Sequence, residues 1–193
     1  MIIGVDEAGR GPLAGPVVAA AVLLCKPRPA GLDDSKKLSA SRRAMMEAKI
    51  KRRCQWAVGV VGVEDIDRLN IFGATMLAMT LAVEALCAKL GCDPLEVLVD
   101  GNLTPLGRCL EWRWNARAIV GGDAVEPCIS AASIIAKEHR DRLMCAYDRD
   151  HPGYGWASNK GYGSAGHLEA LRRLGPTPLH RKSFAPVSQL ELL

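Results

Sequence analysis

The chain has 193 residues and a mass of 20.7 kDa, with 49% hydrophobic residues, 24% charged residues and a formal net charge of +4. These values fit one globular domain with a real core and exclude bulk disorder and collagen-like repetition. Apolar stretches such as Pro16 to Cys25 are far shorter than the roughly 18–20 residues that span a bilayer, so no membrane segment is expected.

Taken in chain order, Ile2 to Val5 reads as a short apolar strand, followed by a segment too rich in glycine and proline for regular structure. A second strand is expected over Val17 to Leu24. After a Pro- and Asp-containing loop, Ser39 or Ser41 is placed to cap a helix over Arg42 to Arg53. Ala57 to Val63 is β-branched and reads as a third strand. Apolar residues at Met76, Met79, Val83, Leu86 and Leu90 mark a helix over Ile71 to Leu90, stopped by Gly91. Short strands follow at Val97 to Val99 and at Ala116 to Val120. Pro127 suits the first turn of a helix reaching Tyr147, whose small residues imply close packing. The segment from His151 is rich in glycine and proline, with one helix over Ala165 to Leu174 closed by Gly175. The order predicts an α/β fold with a mixed sheet flanked by helices. A core over about residues 1–147 and a C-terminal extension over about 148–193 are expected within a single domain.

The opening residues lack a basic region and meet two acids by position 7, so no secretory signal is expected. Seven cysteines with no C-x-x-C spacing suit reduced thiols, so a cytoplasmic protein is expected. Nothing calls for a dimer, and a monomer is expected. Charge is uneven: eight basic residues and only Glu47 lie between Ser35 and Arg53. Such a run attracts a polyanion, although a solvated helix face would carry the same residues.

Gly9-Arg10-Gly11-Pro12-Leu13-Ala14 formally matches a dinucleotide fingerprint, G-x-G-x-x-G/A. That motif requires a helix to begin within it, and Gly15-Pro16 followed by a strand leaves no room for one. The acids beside the loop suggest a different chemistry. Asp6 and Glu7 follow the first strand, Asp100 ends the Val97–Val99 strand, and Asp123 precedes the Pro127 helix. Carboxylates gathered from separate strand ends hold hard divalent cations through oxygen, and two such ions roughly 4 Å apart catalyse phosphoryl transfer. Adjacent strand residues face opposite ways, so Asp6 and Glu7 converge only if the glycine loop makes the backbone irregular.

The run Gly4-Val5-Asp6-Glu7-Ala8-Gly9-Arg10-Gly11-Pro12-Leu13-Ala14-Gly15-Pro16-Val17-Val18 resembles the opening signature of the bacterial ribonuclease HII family. The resemblance continues in order through Asp34-Ser35-Lys36-Lys37-Leu38-Ser39, Leu69-Asn70-Ile71, Leu98-Val99-Asp100-Gly101 and Gly122-Asp123. It then takes in Ile129 to Lys137, Arg140-Asp141, Lys160-Gly161-Tyr162-Gly163 and His180 to Val187. It implies an RNase H-like fold with a helical C-terminal extension. The implied activity is hydrolysis of the RNA strand of RNA–DNA hybrids and nicking on the 5′ side of ribonucleotides embedded in duplex DNA, leaving a 3′-hydroxyl. It implies Asp6, Glu7, Asp100 and Asp123 as catalytic ligands of two Mg2+ or Mn2+ ions, with Asp6 bridging. It also implies Gly9, Arg10 and Gly11 as the loop that reads the 2′-hydroxyl, Tyr162 as the ring near the following deoxyribose, and Ser35, Lys36 and Lys37 as phosphate contacts.

Asp141, beside Arg140, is read as a structural ion-pair residue rather than a metal ligand. The chain departs from the family pattern at Gly121, where a lysine is usual, and at Asn159, where a histidine is usual. The rival readings are a nucleic-acid-binding homologue with impaired catalysis, which has no need of four separated acids, and a nucleotide-cofactor oxidoreductase. Finally, Gln189-Leu190-Glu191-Leu192-Leu193 resembles the short peptides by which bacterial replication proteins dock on the sliding clamp, with an amphipathic tail folded on the domain as the competing reading.

Overall fold

A computed structural model describes residues 1–32, 35 and 38–189. Five strands form one mixed sheet in the order β3-β2-β1-β4-β5. β1 (Ile2–Ala8) lies at its centre, antiparallel to β2 (Val17–Leu23) and parallel to β4 (Glu96–Asp100). β3 (Gln55–Val61) and β5 (Ala116–Ile119) form the edges. The β1–β2 connection is a hairpin, as the absence of a crossover helix requires.

The strand alternation divides two cores. Odd-numbered residues of β1 and β2, such as Ile3, Val5, Ala19 and Ala21, face α2 (Val63–Leu90) together with Val97 and Val99. Even-numbered Ala20 and Val22 face α1 (Ala40–Arg53) and α4 (Pro127–Asp150), against Ile50, Ile134 and Ile135. The helix α4 presses closely on the centre of the sheet. A Cβ on Gly4 would sit 2.3 Å from the Cys128 carbonyl carbon, so only glycine admits this approach.

Several boundaries differ from those read in the sequence. β1 continues through Ala8, because Asp6, Glu7 and Ala8 stay in register with Ala20, Ala19 and Val18. The third strand ends at Val61, and α2 begins at Val63 beyond Gly62. The expected start at Ile71 is nonetheless a real break, because Asn70 takes a non-helical φ of 57° inside α2. Its Oδ1 accepts from the N–H groups of Phe72 and Gly73 at 2.8 and 3.1 Å, capping the second half as a new helix. That apolar helix is long enough to cross a membrane by length and composition, contrary to the estimate from Pro16–Cys25. Its apolar residues are instead packed on the sheet as the core of the fold.

The basic run is partly spent inside the molecule. Arg43 pairs with Glu138 at 2.9 Å, while Glu47 takes Lys51 and Arg142, each at 2.7 Å. Arg42, Lys49, Arg52 and Arg53 are exposed. Beyond α4, the short helices α5 (Trp156–Asn159) and α7 (Ala185–Ser188) flank α6 (Ala165–Leu174). These build a third core from Tyr154, Trp156, Leu171 and Val187 against Leu13, Ala14 and Met144. The extension therefore packs directly against the glycine-rich loop.

Candidate active site

Asp6 occupies an even position of β1 and so faces α4. On the neighbouring parallel strand, Val99 is paired with Val5, which brings Asp100 alongside Asp6. Asp123 comes from α3 (Gly122–Val125), a single turn after β5, and its N–H donates to Asp100 Oδ1 at 3.3 Å. One carboxylate oxygen from each of Asp6, Asp100 and Asp123 lies within 4.8 Å of the others. Asp6 and Asp123 are buried, and Asp100 is half-buried.

Burial pushes the Asp6 carboxyl well above the usual aspartate range, and the charges of Glu7 and Asp100 push it further. A hydrogen bond from Ser133 and the Glu7 N–H at 2.7 Å from Asp6 Oδ1 oppose the shift. Three acids this close repel one another unless a cation joins them. The donors are all hard oxygens, the ligand type that Mg2+ and Mn2+ prefer. The residues therefore fit a divalent metal.

Glu7 sits at an odd position, on the α2 face of the sheet, and its carboxylate is not in that three-acid group. It lies 3.4 Å from Arg10 Nη1 and is also raised by burial, with Arg10 opposing and Asp100 adding to the shift. The backbone is a regular strand here, not the irregular loop that convergence of the two acids was expected to need. Glu7 nonetheless borders the same cleft, because Asp100 stands at the strand end between the two faces.

The cleft has a volume of about 380 Å³, and Gly9, Arg10 and Gly11 form one lip. Gly9 has φ 97° and lies so near Arg140 that a Cβ would meet its Nε at 2.0 Å. Tyr162 is 51% exposed, and its ring edge lies 3.5 Å from where a Gly11 Cβ would stand. Ser35 is buried with its hydroxyl 2.8 Å from that of Ser133. Lys36 and Lys37 lie outside the described residues.

Residues not read as site residues in the sequence also line the cleft: Ser133, Lys137 and Arg140. Their spacing of four and seven along α4 puts them on one helical face, a signal present in the sequence but indistinguishable there from a packing face. Asp141 does form an ion pair, but with Lys137 at 2.6 Å, one helical turn earlier, while Arg140 turns into the protein. Asn159, read in the sequence as a departure from the family pattern, accepts from the Gly161 N–H and donates to the Tyr154 carbonyl, both at 2.8 Å, and so shapes the turn that carries Tyr162. Gly121 has φ 65°, where a lysine would be strained.

Comparison with known proteins gives matches over nearly the whole chain. A family model described as Ribonuclease HII matches residues 3–187. A Ribonuclease HII of Novosphingobium aromaticivorans is 76% identical over 193 residues, covering 99% of this chain and 98% of that one. One from Erythrobacter litoralis is 68% identical, covering 99% and 90%. Among solved structures, RNase HII of Archaeoglobus fulgidus, determined in complex with PCNA, superimposes with a TM-score of 0.76 at 27% identity, covering 98% of this chain and 96% of that one. The ribonuclease H2 of Pyrococcus horikoshii gives a TM-score of 0.77 at 24% identity, covering 99% and 97%, and supports the RNase H-like fold.

Proposed function

Because this chain belongs to the ribonuclease HII family, we propose that it nicks duplex DNA on the 5′ side of an embedded ribonucleotide, leaving a 3′-hydroxyl and a 5′-phosphate. Family membership makes it a metal-dependent endoribonuclease acting on RNA–DNA hybrids. The observation that carries the finer reading is the convergence of Asp6, Asp100 and Asp123 within 4.8 Å beside the glycine lip and Tyr162. A binding module without catalysis would have no use for three acids gathered in this way.

In this reading Asp6, Asp100 and Asp123 would hold divalent metal, Mg2+ or Mn2+, and Glu7, which borders the same cleft, would complete a two-ion site. Bound ions supply an activated water and stabilise charge on the leaving oxygen. The protein's own residues do the positioning. Ser133 orients Asp6. Arg10 holds Glu7 at 3.4 Å. The Gly9–Gly11 backbone meets the 2′-hydroxyl, which distinguishes RNA from DNA. Tyr162 packs on the sugar that follows. Ser35, Lys36 and Lys37 meet the phosphates.

The test is a DNA duplex containing one ribonucleotide, incubated with Mg2+ or Mn2+ and, separately, with EDTA. The expected result is metal-dependent nicking 5′ to the ribonucleotide and none in an all-DNA duplex. Cleavage on the 3′ side, or equal cleavage of both duplexes, would overturn the reading.

The C-terminal peptide supports a partner as well. Residues Gln189 to Leu193 resemble a clamp-docking peptide, and a structural relative was determined with PCNA. Leu190, Glu191, Leu192 and Leu193 lie outside the described residues. Immobilised bacterial sliding clamp is expected to retain the full chain and lose one stopped at Val187. Equal retention of the two removes the idea.

A further inference from the structure

Two arginines lie fully inside the molecule with no carboxylate in ion-pair range among the described residues. Arg140 is 2% exposed and Arg181 is 0% exposed. Burying a guanidinium without a counter-ion is costly, so the groups that compensate it indicate its use. Among the described residues, every hydrogen-bond partner of the two is a main-chain carbonyl. Arg181 donates from Nη2 to Gly9 O at 2.6 Å, from Nη1 to Arg10 O at 2.9 Å and from Nε to Gly15 O at 3.0 Å. Arg140 donates from Nε to Pro16 O at 2.9 Å, from Nη2 to Ala14 O at 3.1 Å and from Nη1 to Lys160 O at 2.9 Å. The two side chains thus gather both ends of the glycine-rich loop and tie it to the turn before Tyr162.

A trans peptide carries its C=O and the next N–H on opposite sides, and among the described residues the sole cis peptide is Lys26–Pro27. When Arg181 draws the Gly9 and Arg10 carbonyls inward, the N–H groups of Arg10 and Gly11 must therefore point outward. The outward side is the cleft that these residues line. Neither N–H meets an acceptor among the described residues. Among the described residues they are two oriented, unpaired donors on the cleft that Asp6 and Asp100 also line.

We infer that Arg181 is a positioning residue for ribonucleotide discrimination: by holding the Gly9 and Arg10 carbonyls from beneath, it aims the Arg10 and Gly11 N–H groups at a 2′-hydroxyl in the cleft. This rests on the function proposed above and adds the element that sets its specificity. Arginine is required because only its planar fork reaches three carbonyls at once, whereas a lysine makes point contacts. The Phe184 ring, 5.0 Å from the guanidinium, covers it on one side.

The test measures binding of two labelled duplexes, one with a single ribonucleotide and one all-DNA, in Mg2+, using the full chain with Asp6→Asn to prevent cleavage. The parent variant is expected to prefer the ribonucleotide duplex. Adding Arg181→Lys should reduce that preference by about tenfold, the equivalent of roughly one hydrogen bond of 1.4 kcal/mol, with all-DNA affinity unchanged. Tyr154→Phe loosens the same extension by removing its bond to Gly175 O and should leave the preference intact. A full preference in Arg181→Lys, or an equal loss in Tyr154→Phe, overturns the inference. If Arg181→Lys does not fold, Phe184→Leu decides: a partial loss of preference supports the role, and no loss overturns it. No preference in the parent variant means that junction recognition itself fails, which is a different result from a preference that survives without Arg181.

Discussion

Asp6→Asn lowers nicking at an embedded ribonucleotide by on the order of 10³-fold or more, while duplex binding stays within a few-fold. The magnitude is that of removing a group that acts on charge developed in the transition state. Asp6 is the one acid that the central strand places beside both Asp100 and Asp123, with Glu7 following it in the chain. In the proposed arrangement it serves both ions, so its loss cannot be covered by a neighbour. Asparagine keeps the shape, and its Oδ1 can still accept from the Glu7 N–H that now lies 2.7 Å from Asp6 Oδ1. A fold defect is thus not the expected cause of lost activity. Single-turnover cleavage in saturating Mg2+ and Mn2+, beside binding of the same duplex, separates the two effects. A variant that retains activity within tenfold of wild type would remove Asp6 from the chemistry. Loss of binding in parallel with cleavage would make it a substrate contact instead.

Much of this architecture is legible from residue pattern alone. β-Branched runs and Gly-Pro punctuation mark β1, β2 and the hairpin, and Pro127 marks the start of α4 at the right residue. The methionine and leucine spacing identifies the second half of α2, and its boundary at Asn70 is structural rather than an error of pattern, because the Asn side chain begins a helix there. The convergence of acids is another matter. Nothing in the sequence tells that β4 lies beside β1, so Asp100 reaches Asp6 only through a parallel pairing between residues more than ninety positions apart. Glu7 shows the limit most plainly: the same alternation that identifies the strand puts it on the opposite face from Asp6. Arg140 and Arg181 were unreadable as positioning residues for a physical reason. Charges are matched to opposite charges when a sequence is read, and these two are matched to main-chain carbonyls, which have no residue identity.

The same acids predict a reversal in stability. In EDTA at neutral pH, Asp6→Asn should unfold at a higher temperature than wild type, by a few degrees, corresponding to about 1–3 kcal/mol of relieved desolvation and like-charge repulsion. The dependence on pH follows from the direction of the shift. Burial and the neighbouring charges hold the Asp6 carboxyl above its ordinary range in the folded protein. Between the unfolded and the raised folded value, the native state therefore binds more protons than the unfolded one, and stability falls as pH rises through that window. Below it the carboxyl is protonated in both states and the two proteins should differ little from this cause. Above it the full penalty is carried by wild type and is absent from the variant. The advantage of Asp6→Asn should accordingly be small near pH 4 and grow toward neutrality. The proposed metal site inverts the order: divalent metal held by the clustered carboxylates of the native state alone should, as saturating Mn2+, raise the wild-type midpoint and move that of Asp6→Asn far less. Thermal melts of both proteins across this pH range, with EDTA and with Mn2+, read all of these differences in one series. A variant less stable than wild type in EDTA at pH 8 would show that the Asp6 charge is already compensated within the fold, and that the three carboxylates do not require a cation to coexist.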